Sequence, residues 1–324
     1  MPELSREQWL EERRKGLGGT DSPRVLGLSH WGGPYEVYCE KLGLVTRPFD
    51  RPETRCGRWM EPHIATLYAE KFECKLVKGE FFKSPKTDWL LASPDYFIQG
   101  QPVGLDCKLV LSEQSAQRWG AEGTDEMPQE YWAQAAHYLV AMPNIDHWIM
   151  APMIDGEVRR YVVRRDAQYE EMLLDGCERF WRDHVVAGVE PTPTPNGVAR
   201  EYMLARWPKN NGQMLTTMDD ATREVIADLL AARKEIKPLK DRAEAATLFL
   251  QTIIGSYDGL QIDDDNKITW RKSKDGEEVD WQGAMREILT HFKLTDKQIS
   301  EASKIIDKYR VPKEGSRRFL VGVE

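Results

Sequence analysis

Residues 93–110 read SPDYFIQGQPVGLDCKLV. Asp95 follows Ser-Pro at a turn, and eleven residues later Asp106 sits inside an apolar run with Lys108 two positions on. On a strand, alternate residues share a face. Val103, Leu105, Cys107 and Leu109 then form one apolar face, and Gly104, Asp106, Lys108 and Val110 form the other. Asp106 and Lys108 stand about 7 Å apart, two strand steps along that second face. Burying an unpaired carboxylate or ammonium is costly, so the face must meet water, a partner or a metal. If Asp95 comes over from the turn, the two carboxylates repel by about 4 kcal/mol at a separation of ~4 Å and a protein-like effective dielectric. A divalent cation turns that repulsion into a site, since Mg²⁺ takes oxygen ligands and keeps positions for water and phosphate. Lys108 cannot bind the metal while protonated; it would hold or help deprotonate the attacking water, or neutralise charge developing on the phosphate. The alternative is a turn aspartate beside a surface salt bridge.

A third carboxylate, Glu61, lies in GRWMEPHIATLY (57–68), on a helix expected from Arg58 to Lys71. It can orient a bound water, or it can be a helix N-terminal acid favoured by the dipole. Upstream, Ser5 caps a helix to Lys15, Gly16–Asp21 (GLGGTD) breaks it, Pro23 opens a second helix, and a third runs from Pro34 to Leu42. Short extended segments fill Cys74 to Lys108. A loop from Thr124 to Pro128 precedes a helix from Gln129 to Ala141. Strands Ile145–Pro152 and Val158–Val163 are joined by Asp155-Gly156, a hairpin signal. A long helix follows from Asp166 to Val186.

Three alternating prolines in EPTPTPNG (190–197) stiffen a linker. They divide an α/β domain, residues 1–192, from a mostly helical region, 193–324. That region has a helix from Asp219 to Ile254 broken at Pro238, a hairpin over Leu260–Arg271, two more helical segments, and a basic, apolar tail at Arg317–Val321. The alternation of helices and strands predicts an α/β fold with a mixed sheet.

The 324 residues carry a formal net charge of −8, which opposes nucleic-acid binding unless the basic groups line a local groove. Five cysteines without a C-x-x-C pair suggest neither a disulfide framework nor a zinc ribbon. The charged N-terminus has no signal-peptide core and no run is long enough to span a bilayer, so a cytoplasmic protein without a membrane partner is expected.

Four motifs in order carry a resemblance. They are W-x3-R with GLGGTD (Trp9, Arg13, Gly16–Asp21), G-x3-E-P (Gly57–Pro62), S-P-D with D-x-K (Ser93–Lys108), and YWAQAAHYL (Tyr131–Leu139). Over residues 5–192 the chain resembles the YqaJ-type viral recombinases, the phage lambda exonuclease family of the PD-(D/E)XK nuclease superfamily. The resemblance implies a restriction-endonuclease-like central sheet flanked by helices. It implies a Mg²⁺-dependent 5′-to-3′ exonuclease that degrades one strand of linear double-stranded DNA from a 5′-phosphorylated end. The 3′ overhangs would serve phage recombination by single-strand annealing in a bacterial host. It further implies two Mg²⁺ ions per site (Mn²⁺ as an alternative), a single-strand annealing protein as partner, and a homo-oligomeric ring trimer. Asp95, Asp106, the Cys107 backbone carbonyl and Glu61 would serve the metals, with Lys108 completing the catalytic set. Arg13, Thr20, Ser93 and Gln134 would bind the 5′-phosphate.

That last set has its own chemical logic. Arginine offers a forked donor, and Thr20 sits where a loop enters a helix, a position that favours anions. Thr20 can equally be a cap, and Gln134 a solvated helix residue. The chain departs from the family at Asp106, where Glu is the common choice, and residues from 198 on have no counterpart in shorter members. The rival functions are an endonuclease on the same fold and a non-catalytic DNA-end-binding scaffold. His137 is expected to be packed or solvated rather than a ligand.

Overall fold

The run from Val103 to Leu109 is the strand on which the sheet is built. It pairs in parallel with residues 147–153, from Val103↔His147 to Leu109↔Met153, and antiparallel on its other edge through Tyr96↔Leu105 and Phe97↔Gly104. Neighbours on both edges take up much of its backbone hydrogen bonding, and the Asp95 side chain accepts from the Cys107 N–H beyond the β4 pairing, so the strand can sit inside the molecule. The structure is a computed structural model that describes residues 5–45, 51–195, 197–216, 218–263, 266–271, and, beyond these, Glu287, His291, Thr295, Gln298, Ser300 and Glu301. The two expected late helices and the basic tail lie mostly or wholly outside the described residues.

Helices α1 (Arg6–Arg14), α2 (Ser22–Val25), α3 (Pro34–Lys41) and α4 (Pro52–Lys71) lead into strands β1 (Leu76–Lys78), β2 (Phe82–Lys83), β3 (Leu91–Ala92), β4 (Tyr96–Ile98) and β5 (Val103–Leu109). Then come α5 (Glu113–Ala116), α6 (Gln129–Ala141), β6 (His147–Ile154), β7 (Glu157–Val158), β8 (Tyr161–Arg164) and α7 (Ala167–Phe180), which continues into a π-helical turn at Trp181–Val186. The last elements are α8 (Gly197–Arg206), α9 (Asp220–Ile254) and the hairpin β9 (Gly259–Gln261) and β10 (Lys267–Thr269). The main sheet has the order β1-β4-β5-β6, with β7 and β8 both paired to β6, and it is mixed, as expected.

Local chemistry accounts for the element ends. Ser5 and Gln8 form a reciprocal capping box on α1. Asp155 and Gly156 both take positive φ, 52° and 83°, as the hairpin turn requires. Two expectations need correction. α4 starts at Pro52 rather than Arg58, because Pro52 fits the first helical turn; Glu61 is therefore mid-helix, not an N-terminal acid. α9 runs unbroken through Pro238, since proline's φ is helical and the carbonyl it leaves unpaired can be solvated on an exposed helix.

The sheet separates two apolar clusters. Val103, Leu105 and Cys107 pack with Ile64, Ala65 and Tyr68 of α4. The other side gathers Trp148, Met150, Tyr161, Leu139, Leu173 and Phe180. Gly104 belongs to this second side, and a Cβ there would lie 2.2 Å from the Trp148 ring. His137 is buried between α2 and β3, bonded to the Ser22 hydroxyl and the Leu91 carbonyl, and burial lowers its pKa to about 4. It is a packed residue, as anticipated. No helix among the described residues is long and apolar enough to cross a membrane.

The chain's contacts divide it between Lys209 and Asn210, later than the 192/193 boundary read from the prolines. The reason is α8, which returns to α3: Ala199 and Tyr202 are buried, Tyr202 Oη donates to Glu40, and Arg51 pairs with Glu201 at 2.6 Å. A chain ending at residue 192 should therefore be less stable than one ending at 209 by about 2–4 kcal/mol, from lost side-chain burial and one charged hydrogen bond. Urea unfolding of the two chains measures this, and equal stability would contradict it.

Candidate active site

Asp106 is 1% exposed although it carries a carboxylate. Its Oδ2 accepts from Lys108 Nζ at 3.0 Å and from Gln134 Nε2 at 2.7 Å, while the Asp95 backbone N–H approaches Oδ1 at 3.4 Å. The turn delivers Asp95 to the same corner, where its Oδ2 accepts from the Cys107 backbone N–H at 2.9 Å. The two carboxylates read from the opening stretch thus meet.

Burial and the neighbouring Asp106 push the Asp95 carboxyl well above the usual carboxylate range, against the pull of Lys108. Burial alone would lower Lys108, but Asp106 and Asp95 outweigh it and hold its ammonium above the usual lysine range. Lys108 is held toward its charged form by the two carboxylates. One ammonium faces two carboxylates, which leaves the corner under-compensated.

Glu61 projects toward the same site from α4 and pairs with Lys78 of β1, whose ammonium also lies 4.7 Å from the Tyr96 ring centre. The following Pro62 cannot donate to the carbonyl four residues back. Among the described residues no group of three or more His, Cys, Asp and Glu side chains is arranged to hold a metal. The oxygen donors at the corner are the two aspartates and the backbone, which is hard-cation chemistry.

A few ångströms of hydrogen bonding link this corner to the second expected set. Arg13 Nη2 donates to Thr20 Oγ1 at 2.9 Å, and the guanidinium lies 4.7 Å from the Trp9 ring centre. Trp9 Nε1 reaches Ser93 Oγ at 3.3 Å. Tyr138 Oη donates to the Ser93 carbonyl at 3.2 Å and accepts from Gln134 Nε2 at 3.1 Å, the same amide that reaches Asp106. One cavity of about 860 Å³ is lined by Arg13, Thr20, Glu61, Ser93, Asp95, Asp106, Cys107, Lys108 and Gln134 together. Gln134 is buried rather than solvated.

With the motifs thus gathered in one place, residues 8–141 match the family model described as the YqaJ-like viral recombinase domain. Over this stretch the chain is similar to that family. A relative, the uncharacterized protein YqaJ of Bacillus subtilis (strain 168), is 29% identical over 251 residues, 75% of this chain and 76% of its own. Among solved structures, the alkaline exonuclease LHK-Exo of Laribacter hongkongensis aligns with 14% identity and a TM-score of 0.45 over 57% of this chain and 94% of its own. A phage related exonuclease of Haemophilus somnus 129PT aligns with 11% identity and a TM-score of 0.40 over 53% and 96%.

Four further residues line the cavity without a place among the expected site residues: Tyr131, Tyr138, Lys41 and Tyr202. Tyr138 sits four residues after Gln134 and seven after Tyr131, so the three share one helix face, a spacing legible in the sequence. Tyr131 carries Lys108, whose ammonium is 5.5 Å from its ring centre. Lys41 and Tyr202 also line the cavity, and no local pattern marks either.

Because two carboxylates crowd one corner, Asp95→Asn removes repulsion while its amide oxygen still accepts from Cys107. In EDTA the variant should be more stable than the wild type by about 1–2 kcal/mol. Chemical denaturation reads this directly, and a less stable variant would contradict the crowding.

Proposed function

We propose that the domain is a Mg²⁺-dependent 5′-to-3′ exonuclease that starts at 5′-phosphorylated ends of linear double-stranded DNA and leaves 3′ overhangs. The observation that carries this reading is the sharing of one cavity by the Asp95–Asp106–Lys108 corner and the Arg13–Thr20–Ser93 cluster. A group that recognises a terminal phosphate then lies beside a group suited to cutting the next phosphodiester.

Asp95, Asp106 and the Cys107 carbonyl would hold the metal, with Glu61 close by. The donor set fits, since it is all oxygen and carries more negative charge than Lys108 offsets. A Mg²⁺ ion held there would supply an activated water and Lewis-acid stabilisation of the phosphate. Lys108 provides fixed positive charge for the oxygens that become more negative during hydrolysis. Arg13 offers its fork to the end phosphate, Thr20 and Ser93 add hydroxyl donors, and Gln134 orients Asp106.

The cavity's charges support a metal-dependent reading as well. Arg13, Arg14, Lys41, Arg58 and Lys108 face Glu40, Glu53, Glu61, Asp95 and Asp106. Five cations against five carboxylates leave nothing over for a polyanion, and divalent cations would supply the missing charge.

The test is nucleotide release from a linear duplex with one 5′-phosphorylated and one 5′-hydroxyl end, with Mg²⁺ or EDTA. Release should require Mg²⁺, favour the phosphorylated end, and fall by roughly 10²–10³-fold in Lys108→Ala. Equal cutting of covalently closed circles would favour an endonuclease. End binding without release, undiminished in EDTA, would favour a scaffold.

A further inference from the structure

The buried carboxylate of Asp21 is not used by the reaction above, yet it faces Arg13, Lys41, Arg24 and the Gly18 backbone. Its side chain is fully buried at the turn into α2. Oδ2 accepts from the Gly18 backbone N–H at 2.8 Å and from Lys41 Nζ at 2.6 Å. Oδ1 lies 3.5 Å from Arg13 Nη2 and 3.8 Å from an Arg24 nitrogen, and it accepts no hydrogen bond. Lys41 also donates to the Arg13 backbone carbonyl at 2.8 Å, which caps the end of α1. One carboxylate and one ammonium thus hold both the backbone and the guanidinium of Arg13, and the loop that carries Thr20.

The manner of holding differs between the two arginines. Arg24 forks onto Glu40 with bonds of 3.1 and 2.9 Å, so its bidentate capacity is spent. Arg13's side-chain contacts to Thr20 and Asp21 both run through Nη2, and the Asp21 contact is longer than a hydrogen bond. The rest of its planar fork remains presented to the cavity.

Resting on the end-binding role proposed for Arg13, we propose that Asp21, with Lys41, is a positioning residue for 5′-phosphate recognition. It aims Arg13 by charge without consuming its donors. Burial alone would raise the Asp21 carboxyl, but Lys41, Arg13 and Arg24 outweigh it and keep it ionised. A buried pair of this kind is weak evidence for stability by itself, so a purely structural role and a positioning role predict different results.

The experiment compares wild type, Asp21→Asn and the charge-balanced double variant Asp21→Asn/Lys41→Met. It measures the ratio of initial nucleotide release from 5′-phosphoryl and 5′-hydroxyl duplex ends, and the melting temperature of each protein. The phosphoryl-to-hydroxyl ratio should fall about tenfold in the variants, as expected for a misaimed binding group, with KM for phosphorylated ends raised more than kcat is lowered. If Asp21→Asn does not fold, the double variant, which leaves no unpaired buried charge, gives the reading. An unchanged ratio in a folded variant, or equal losses at both ends, overturns the proposal. If the wild type itself does not prefer phosphorylated ends, the end-binding role of Arg13 fails first and this proposal falls with it.

Discussion

The central constraint is a carboxylate buried on the middle strand of a sheet. Asp106 is paired to β6 through Met150, its strand face is covered by Trp148 beside Gly104, and it has almost no access to water. A charge in that position survives only with donors and countercharge around it. Lys108 from its own strand, Gln134 from α6 and the Asp95 backbone from the preceding turn supply them. The cluster is nevertheless short of positive charge, because Asp95 brings a second carboxylate to the same place. A polar network left short in this way is a stability defect unless a ligand completes it, and such defects collect at functional sites.

From that point the polar contacts run outward as a chain. Gln134 joins Asp106 to Tyr138, Tyr138 reaches Ser93, Ser93 meets Trp9, and Trp9 lies under Arg13. α1, α6 and the turn before β4 are tied into one arrangement by side chains rather than by apolar packing alone. Asp21 and Lys41 anchor the far end of the chain, and α8 closes over α3 through Tyr202 and Glu40.

Much of this was legible in the sequence where the information is local. Period-two alternation placed Asp106 and Lys108 on one face, proline and glycine marked turns, and Ser5 announced a capped helix. The mixed sheet followed from the order of the segments. What failed was non-local. The start of α4 was set too late because residues 52–57 have no apolar period, although Pro52 suits a first turn. Gln134 looked like a solvated helix residue because Asp106, its partner, lies 28 positions away. The proline run looked like a boundary because nothing local reveals that Tyr202 comes back to Glu40. Pro238 looked like a break because the helix around it has no neighbour in the sequence pattern to decide the matter.

The central claim is that Asp95 and Asp106 form a divalent-cation site. Its most direct test is calorimetric titration of Mn²⁺ into the full chain and into Asp106→Ala, each checked for folding. The account predicts saturable binding by the wild type that is lost in the variant. The same binding isotherm in both proteins, or no binding by the wild type, would contradict it.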